Sequence, residues 1–313
     1  MGSEMCIRDR YEADLNELAK AIIWEVNRIH TQGVGTQGFT SIIGSYGVTN
    51  AGAALQSSGL DFEDKIIDGS FHIWVYDSNG DVVGSGPLTI NIDADVTSLN
   101  ALVTDINNQA GGNITASVDA NGRLQLSAAT GYTFAFSEDT SGVLAALGIN
   151  TFFTGSSPTD GDYAKFIEVN PVVEQNKAYI AAGKIDSSTG EMAEGDNANV
   201  LDMINLSCSE ISMNHYHYER GTGALPPEPV STTLDDYLHT LEGSIGIKSQ
   251  SVTRSREYTE VIVNQLERTR DNISAVSIDE EMANIIKYQH AYAAAAKLIS
   301  TGDEMFKTLL DIR

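Results

Sequence analysis

His215 and His217 stand either side of Tyr216, downstream of Cys208, and offer the nitrogen and sulfur ligands that a zinc ion takes. Their spacing matches no standard zinc site and no fourth ligand is evident, so surface histidines are the preferred reading. The carboxylates of Asp235-Asp236 and Asp279-Glu280-Glu281 have the chemistry of a general acid and base. Both groups instead fall in predicted first helical turns, where the backbone dipole favours negative charge. Asp93, Asp95, Asp119 and Asp139 lie near turns, but without the spacing of an EF-hand calcium loop. Trp24 and Trp74 read as packing residues ahead of stacking platforms for a ligand. There is no His-Glu-x-x-His helix and no Gly-x-x-x-x-Gly-Lys phosphate loop. These residues predict no catalytic, cofactor-binding or metal site, and a protein that is not an enzyme.

Nineteen Lys and Arg against 43 Asp and Glu leave a formal charge of −24. Such a surface repels phosphate backbones and anionic lipid, so nucleic acid is not an expected partner. An acidic balance is usually a solubility device, and it also suits a chain that stays unassociated until delivered. No run of 18 apolar residues occurs, so no membrane insertion is expected, and no secretory signal is visible. Residues 1–10 have neither an apolar h-region nor periodicity and read as a non-native or artefactual leader. Cys208 is then the one cysteine of the expected fold, which leaves no disulfide framework within a chain.

Hydrophobic period shows the elements that must position these side chains. Leu15, Leu18, Ala19, Ile22, Val26 and Ile29 recur at helical spacing, and Gly33 and Gly35 end that helix. From Phe39 the chain turns to short segments. Residues 71–76 and Val82-Val83 frame an Asn79-Gly80 turn, and residues 114–118 and 123–127 frame Asn121-Gly122. Both dipeptides supply the positive φ of a tight hairpin. A short helix between them, capped by Thr97 or Ser98, is expected to bury Leu99, Leu102, Val103 and Ile106. A strand at 132–136 and a helix at 141–147, closed by Gly148, complete an α+β module. Helical period returns with Val200, Leu201, Ile204 and Leu206. A loop over 221–229 follows, because Pro226, Pro227 and Pro229 cannot continue a helix. Thr233 then opens a long helix whose stripes are Leu234, Tyr237, Leu238, Leu241 and Ile245, then Val252, Thr259, Val263, Leu266 and Ile273. Gly243 and Gly246 weaken it by roughly 1 kcal/mol each, less than burial of the stripe contributes.

The last element is the most regular. Ser277 and Glu280 form a capping box, and Ile278, Met282, Ile285, Gln289, Tyr292, Ala296, Ile299, Asp303, Phe306 and Leu310 alternate steps of four and three. That is a heptad seam, and a helix of roughly 50 Å carrying it needs a partner along its length. Burying the apolar positions releases about 10–20 kcal/mol before entropy is subtracted.

The stretch Val276-Ser277-Ile278-Asp279-Glu280-Glu281-Met282-Ala283-Asn284-Ile285-Ile286-Lys287-Tyr288-Gln289, with Ala291-Tyr292, Ala294-Ala295-Ala296-Lys297 and Asp303-Glu304-Met305, resembles the C-terminal signature of flagellar axial proteins. Residues 15–30, 131–153 and Leu266-Glu267 with Arg270-Asp271 agree with it. The resemblance implies an α+β chain in which long helices form a bundle or coiled-coil shaft around an inserted β-rich outer domain. The helical shaft is expected at 11–33 and 196–276, the outer domain at 34–195, and the coiled-coil helix at 277–313. It implies a structural subunit joining hook to filament, extracellular and exported by the flagellar apparatus without a cleaved signal peptide. The implied partners are copies of itself in a ring or tube, the hook protein, the next junction protein, and an export chaperone on the C-terminal helix. The assembly interface is expected at Ile278, Met282, Ile285, Tyr292, Ala296, Ile299, Phe306 and Leu310, with Ser277 and Glu280 as the helix cap. Members of the family carry a further helix ahead of the one matched by 11–33. Without it, 277–313 is expected to be exposed, self-associated or poorly ordered. The alternatives are another axial subunit of the hook or distal rod, or a secreted acidic adhesin or carbohydrate-binding module with its ligand around Trp74 and Tyr76.

Overall fold

The computed structural model describes residues 2–155, 161–193, 195–219, 223–224, 226–274 and 277–312. The chain divides into two compact units, Met1–Gly243 and Ser244–Arg313.

The first unit opens with α1 (Gly2–His30), which starts before Tyr11 and so includes described residues of the expected leader. Its buried face follows the predicted stripe only in part, with Ile22, Val26 and Ile29 half-buried. Leu18, Ala19, Ile23 and Trp24 are buried together with Asp14, Asn27 and His30, whereas Leu15 is 40% exposed. The reason is that α1 turns hydrogen-bonding side chains inward, and a hydrogen-bonded polar group is tolerated in a core. Asn27 Oδ1 accepts the Phe152 and Phe153 N–H groups at 2.9 Å each, and its Nδ2 donates to Phe153 O at 2.9 Å. His30 Nδ1 lies 2.8 Å from Asn150 O, and Nε2 accepts from the Ala181 N–H at 3.0 Å. Those partners fix the neutral tautomer with its proton on Nδ1.

The β-rich body follows as β1 (Ser41–Gly47), β2 (Gly69–Tyr76), β3 (Leu88–Ile92), α2 (Leu99–Ala110), β4 (Ile114–Val118), β5 (Arg123–Ala128), β6 (Thr133–Ser137) and α3 (Val143–Leu147). Two antiparallel three-stranded sheets result, in the orders β1-β5-β4 and β3-β2-β6. The expected hairpin at Asn121-Gly122 forms, with Gly122 at φ +75°. At Asn79-Gly80 only the turn forms: Asp77 N–H reaches Asp81 O at 2.9 Å and Val83 N–H reaches Val75 O at 2.8 Å. Beyond the Tyr76–Val82 bridge, β2 takes β3 and β6 as neighbours instead of Val82-Val83. The alternating segment Leu88-Thr89-Ile90-Asn91-Ile92 wins because it buries Ile90 and Ile92.

Strand alternation places Phe71, Ile73 and Val75 in the main core with Ile90, Leu102, Leu126, Phe134 and Leu147. The α1 residues Ile23 and Trp24 join that same core. The other face of β2 carries Trp74 and Tyr76 into a second small core with Val34 and Ile185. Helix α2 is capped by Ser98 Oγ, which accepts the Ala101 N–H at 3.2 Å, as expected. Helix α3 ends on Gly148 at φ +71°, where an added Cβ would meet Ser45 at 2.7 Å.

The unit closes with β7 (Phe153–Thr154), α4 (Tyr163–Phe166), β8 (Glu168–Val169), α5 (Pro171–Gln175), α6 (Ala198–Asn205), β9 (Ile211–His215), β10 (Tyr218–Glu219), β11 (Gly223–Ala224) and β12 (Glu228–Thr232). The pairs β7-β8, β9-β12 and β10-β11 are antiparallel. The expected loop over 221–229 is therefore partly strand, although 221, 222 and 225 lie outside the described residues. Pro229 is accommodated because β12 has a single strand neighbour, so its missing N–H need not face a ladder. Helix α7 (Leu234–Ser274) begins in this unit and continues into the second, which also holds α8 (Ile278–Asp311). No described helix is long and apolar enough to cross a membrane.

Burial lowers the His30 pKa to about 4, against a weaker upward pull from its bond to Asn150. Above pH 6.5 the ring is neutral in both folded and unfolded chains, and the full stability is present. Between pH 6.5 and about 4 the unfolded chain takes up a proton that the folded one excludes, so stability falls with pH by on the order of 3 kcal/mol. In thermal melts from pH 7 to pH 4, His30→Gln is expected to lose less stability on acidification than the wild type. An identical loss in both removes His30 from the account.

Candidate assembly surface

The reactive-looking residues of the sequence are accounted for by structure. His215 Nδ1 lies 3.1 Å from Asp14 Oδ1, and His217 Nε2 lies 3.7 Å from a Glu228 oxygen. Asp14 Oδ1 also accepts the Tyr216 N–H at 2.9 Å and the Tyr237 hydroxyl at 3.2 Å. This buried carboxylate thus ties α1 to β9 and to the first turns of α7. Burial, followed by the charge of Asp14, pushes the Tyr237 phenol well above its ordinary pKa. Cys208 is exposed, and no group of three or more His, Cys, Asp or Glu among the described residues is placed to hold a metal ion.

Two of the acidic candidates, Asp139 and Asp119, hold local turns. Asp139 accepts from Ser141 N–H, Ser141 Oγ and Gly142 N–H through Oδ1, and from Leu144 N–H through Oδ2. Burial pushes its pKa up and those four donors oppose the rise. Asp119 holds its hairpin turn through the N–H groups of Asn121 and Arg123 and the Arg123 guanidinium. Trp74 and Tyr76 are buried, with Trp74 Nε1 donating to Ser137 Oγ at 3.0 Å and the Tyr76 hydroxyl to Gly190 O at 2.8 Å. Neither ring face is open to a sugar, which removes the ligand platform of the adhesin alternative.

The remaining candidate is α8. Ser277 Oγ accepts the Glu280 N–H at 3.4 Å, so the helix begins where the capping pattern predicts. Asp279, Glu280 and Glu281 place negative charge on its first turn, where the dipole favours it. At 1.5 Å per residue its 34 residues extend about 51 Å. Ile278, Met282, Ile285, Tyr292, Ala296, Ile299, Phe306 and Leu310 share one helical face by their heptad spacing. None is buried: Ile278 is 78% exposed, Ile285 52%, Tyr292 80% and Leu310 75%. Ile285, Tyr288, Gln289 and Tyr292 border a shallow apolar groove on that helix. The stretch of α7 within the second unit likewise exposes Val252, Val263, Leu266 and Ile273. An isolated soluble body does not ordinarily leave so extended an apolar stripe in water.

Residues 270–312, which include all of α8, match the family described as "Flagellar basal body rod FlgEFG protein C-terminal". Residues 70–130, from β2 to β5, match the "Flagellin hook IN motif". Flagellar hook-associated protein 1 of Bacillus subtilis (strain 168) is 32% identical over 161 residues, 51% of this chain and 28% of that protein. The chain is similar to flagellar hook-associated protein 1. The hook-associated protein 1 of Salmonella typhimurium (strain LT2) is 26% identical over 190 residues, 58% of this chain and 31% of that protein. The Escherichia coli (strain K12) counterpart is 25% identical over 217 residues, 69% of this chain and 37% of that protein. The chain thus matches well under half of each relative's length. The exposed seam coincides with the matched C-terminal segment. Tyr237 falls on the periodic stripe of α7, but its partner Asp14 on α1 could not be picked out from residues alone, because one buried acid among many acids carries no periodic signal.

Ser277→Ala is expected to cost about 1 kcal/mol at the start of α8. Amide exchange over 278–281 checks it, and unchanged protection there denies the cap its role.

Proposed function

We propose that this chain is part of a structural, non-catalytic subunit of the bacterial flagellum that joins hook to filament and acts by self-assembly. The coincidence of an exposed heptad face on α8 with the segment similar to flagellar rod and hook-associated proteins carries the reading. Eight apolar seam positions left in water have a strong reason to associate, at about 1–2 kcal/mol per larger side chain before entropy.

In this reading the seam forms a coiled coil with other helices, in copies of the same chain or elsewhere in its own polypeptide. In its domain organisation, 34–195 is an inserted α+β domain and 11–33 with 196–276 a helical shaft domain. The hook protein and the next junction protein flank it, and an export chaperone covers α8 until delivery. The location is extracellular, reached through the flagellar export apparatus without a cleaved signal peptide. A hook or distal-rod subunit is less well supported. The C-terminal match alone is shared with rod proteins, whereas the relatives above, which match over wider parts of the chain, are hook-associated protein 1.

Replacing Ile285 and Ile299 with Asp puts two charges on the seam and alters no residue of the first unit. In cells relying on the full-length protein, this double variant is expected to abolish hook–filament joining and swimming. Thermal unfolding of the first unit is expected to stay unchanged. Normal joining, seen by electron microscopy of flagella carrying the variant, would sink the assignment.

A further inference from the structure

The formal charge is divided very unevenly between the two units. Residues 1–243 hold 10 Lys and Arg against 33 Asp and Glu, a net −23, while residues 244–313 hold nine against ten, a net −1. The apolar seam of α8 therefore belongs to a nearly neutral unit, and almost the whole negative charge sits on the other. A uniformly acidic protein made soluble by its charge has no need of that segregation. In the second unit Arg254 and Arg256 stand close in sequence to Glu257 and Glu260, so like-charge repulsion on the helices themselves is small.

We propose that the first unit is an electrostatic brake on self-association through the second, so that joining of copies is governed by ionic strength. This rests on the assembly reading of α8. Any array built through the second unit gathers one −23 body per copy, and that repulsion opposes the apolar contact at low salt. The Debye length shrinks from about 20 Å near 20 mM salt to about 4 Å near 500 mM, so added salt weakens the brake. Sodium chloride leaves the apolar term nearly unaltered by comparison with sulfate or phosphate, which makes it the appropriate titrant.

Sedimentation velocity of the full chain in sodium chloride tests this. Between about 20 mM and about 500 mM, self-association is expected to tighten about tenfold or more. A variant with Asp64→Asn, Asp81→Asn, Asp93→Asn, Asp95→Asn, Glu174→Gln and Glu191→Gln changes exposed side chains of the first unit only. It is expected to associate more tightly than wild type at the lowest salt, with a shallower salt dependence, and to converge with it at the highest. Equal association of the two proteins at low salt overturns the brake, as does weakening of wild-type association with salt. The Ile285→Asp, Ile299→Asp variant separates the two ideas. If it still associates, the seam reading fails whatever the salt profile. If it does not associate while wild type is indifferent to salt, the brake alone fails. A wild-type chain that stays monomeric at every salt overturns the brake and leaves the seam only a partner elsewhere in its own polypeptide.

Discussion

A single α-helix has no interior on which to bury its own side chains, so an apolar heptad face is stable in water only against a second surface. That constraint governs α8. Its backbone hydrogen bonds are closed within the helix and its start is set by Ser277, yet the side chains at its seam are exposed from Ile278 to Leu310. Helical form and unsatisfied packing thus coexist. The cap fixes where the helix begins, and with it which residues fall on the seam. Shape and register are the chemistry of such a surface.

The first unit solves the opposite problem. Its strand β2 is covered on both faces, with Phe71, Ile73 and Val75 directed to the main core and Trp74 and Tyr76 to the smaller one. Its polar interior is tied by groups that reach far along the chain: Asn27 to Phe152 and Phe153, His30 to Asn150 and Ala181, Asp14 to Tyr216 and Tyr237. Together they hold α1 in the first unit. Among its described residues such a body offers no apolar stripe like that of α8. It carries nearly all of the negative charge, while the unit bearing the seam is almost neutral.

Regular period made some elements legible from residues alone. The caps of α2 and α8, the Gly148 stop of α3, the Asn121-Gly122 hairpin and the heptads after Ile278 are local signals, each set within a few residues. Other elements were decided by competition. Val82-Val83 sits next to a good turn but lost β2 to Leu88–Ile92, because ladder pairing rewards the longer buried alternation and not sequence proximity. The inward face of α1 shifted in part from the apolar stripe because its buried polar residues find partners more than one hundred residues away.

For this protein the sequence by itself determined the α8 seam, its cap, its excess of acid and the positions of its tight turns. These depend on spacing, dipole and backbone sterics within one or two turns of chain. Only the tertiary structure decided that Asp14, Asn27 and His30 are internal, that Trp74 and Tyr76 are closed to ligands, and that β2 pairs with β3 and β6. Those outcomes depend on which distant segment satisfies a buried donor, acceptor or ladder edge, and such pairings leave no periodic trace in the chain.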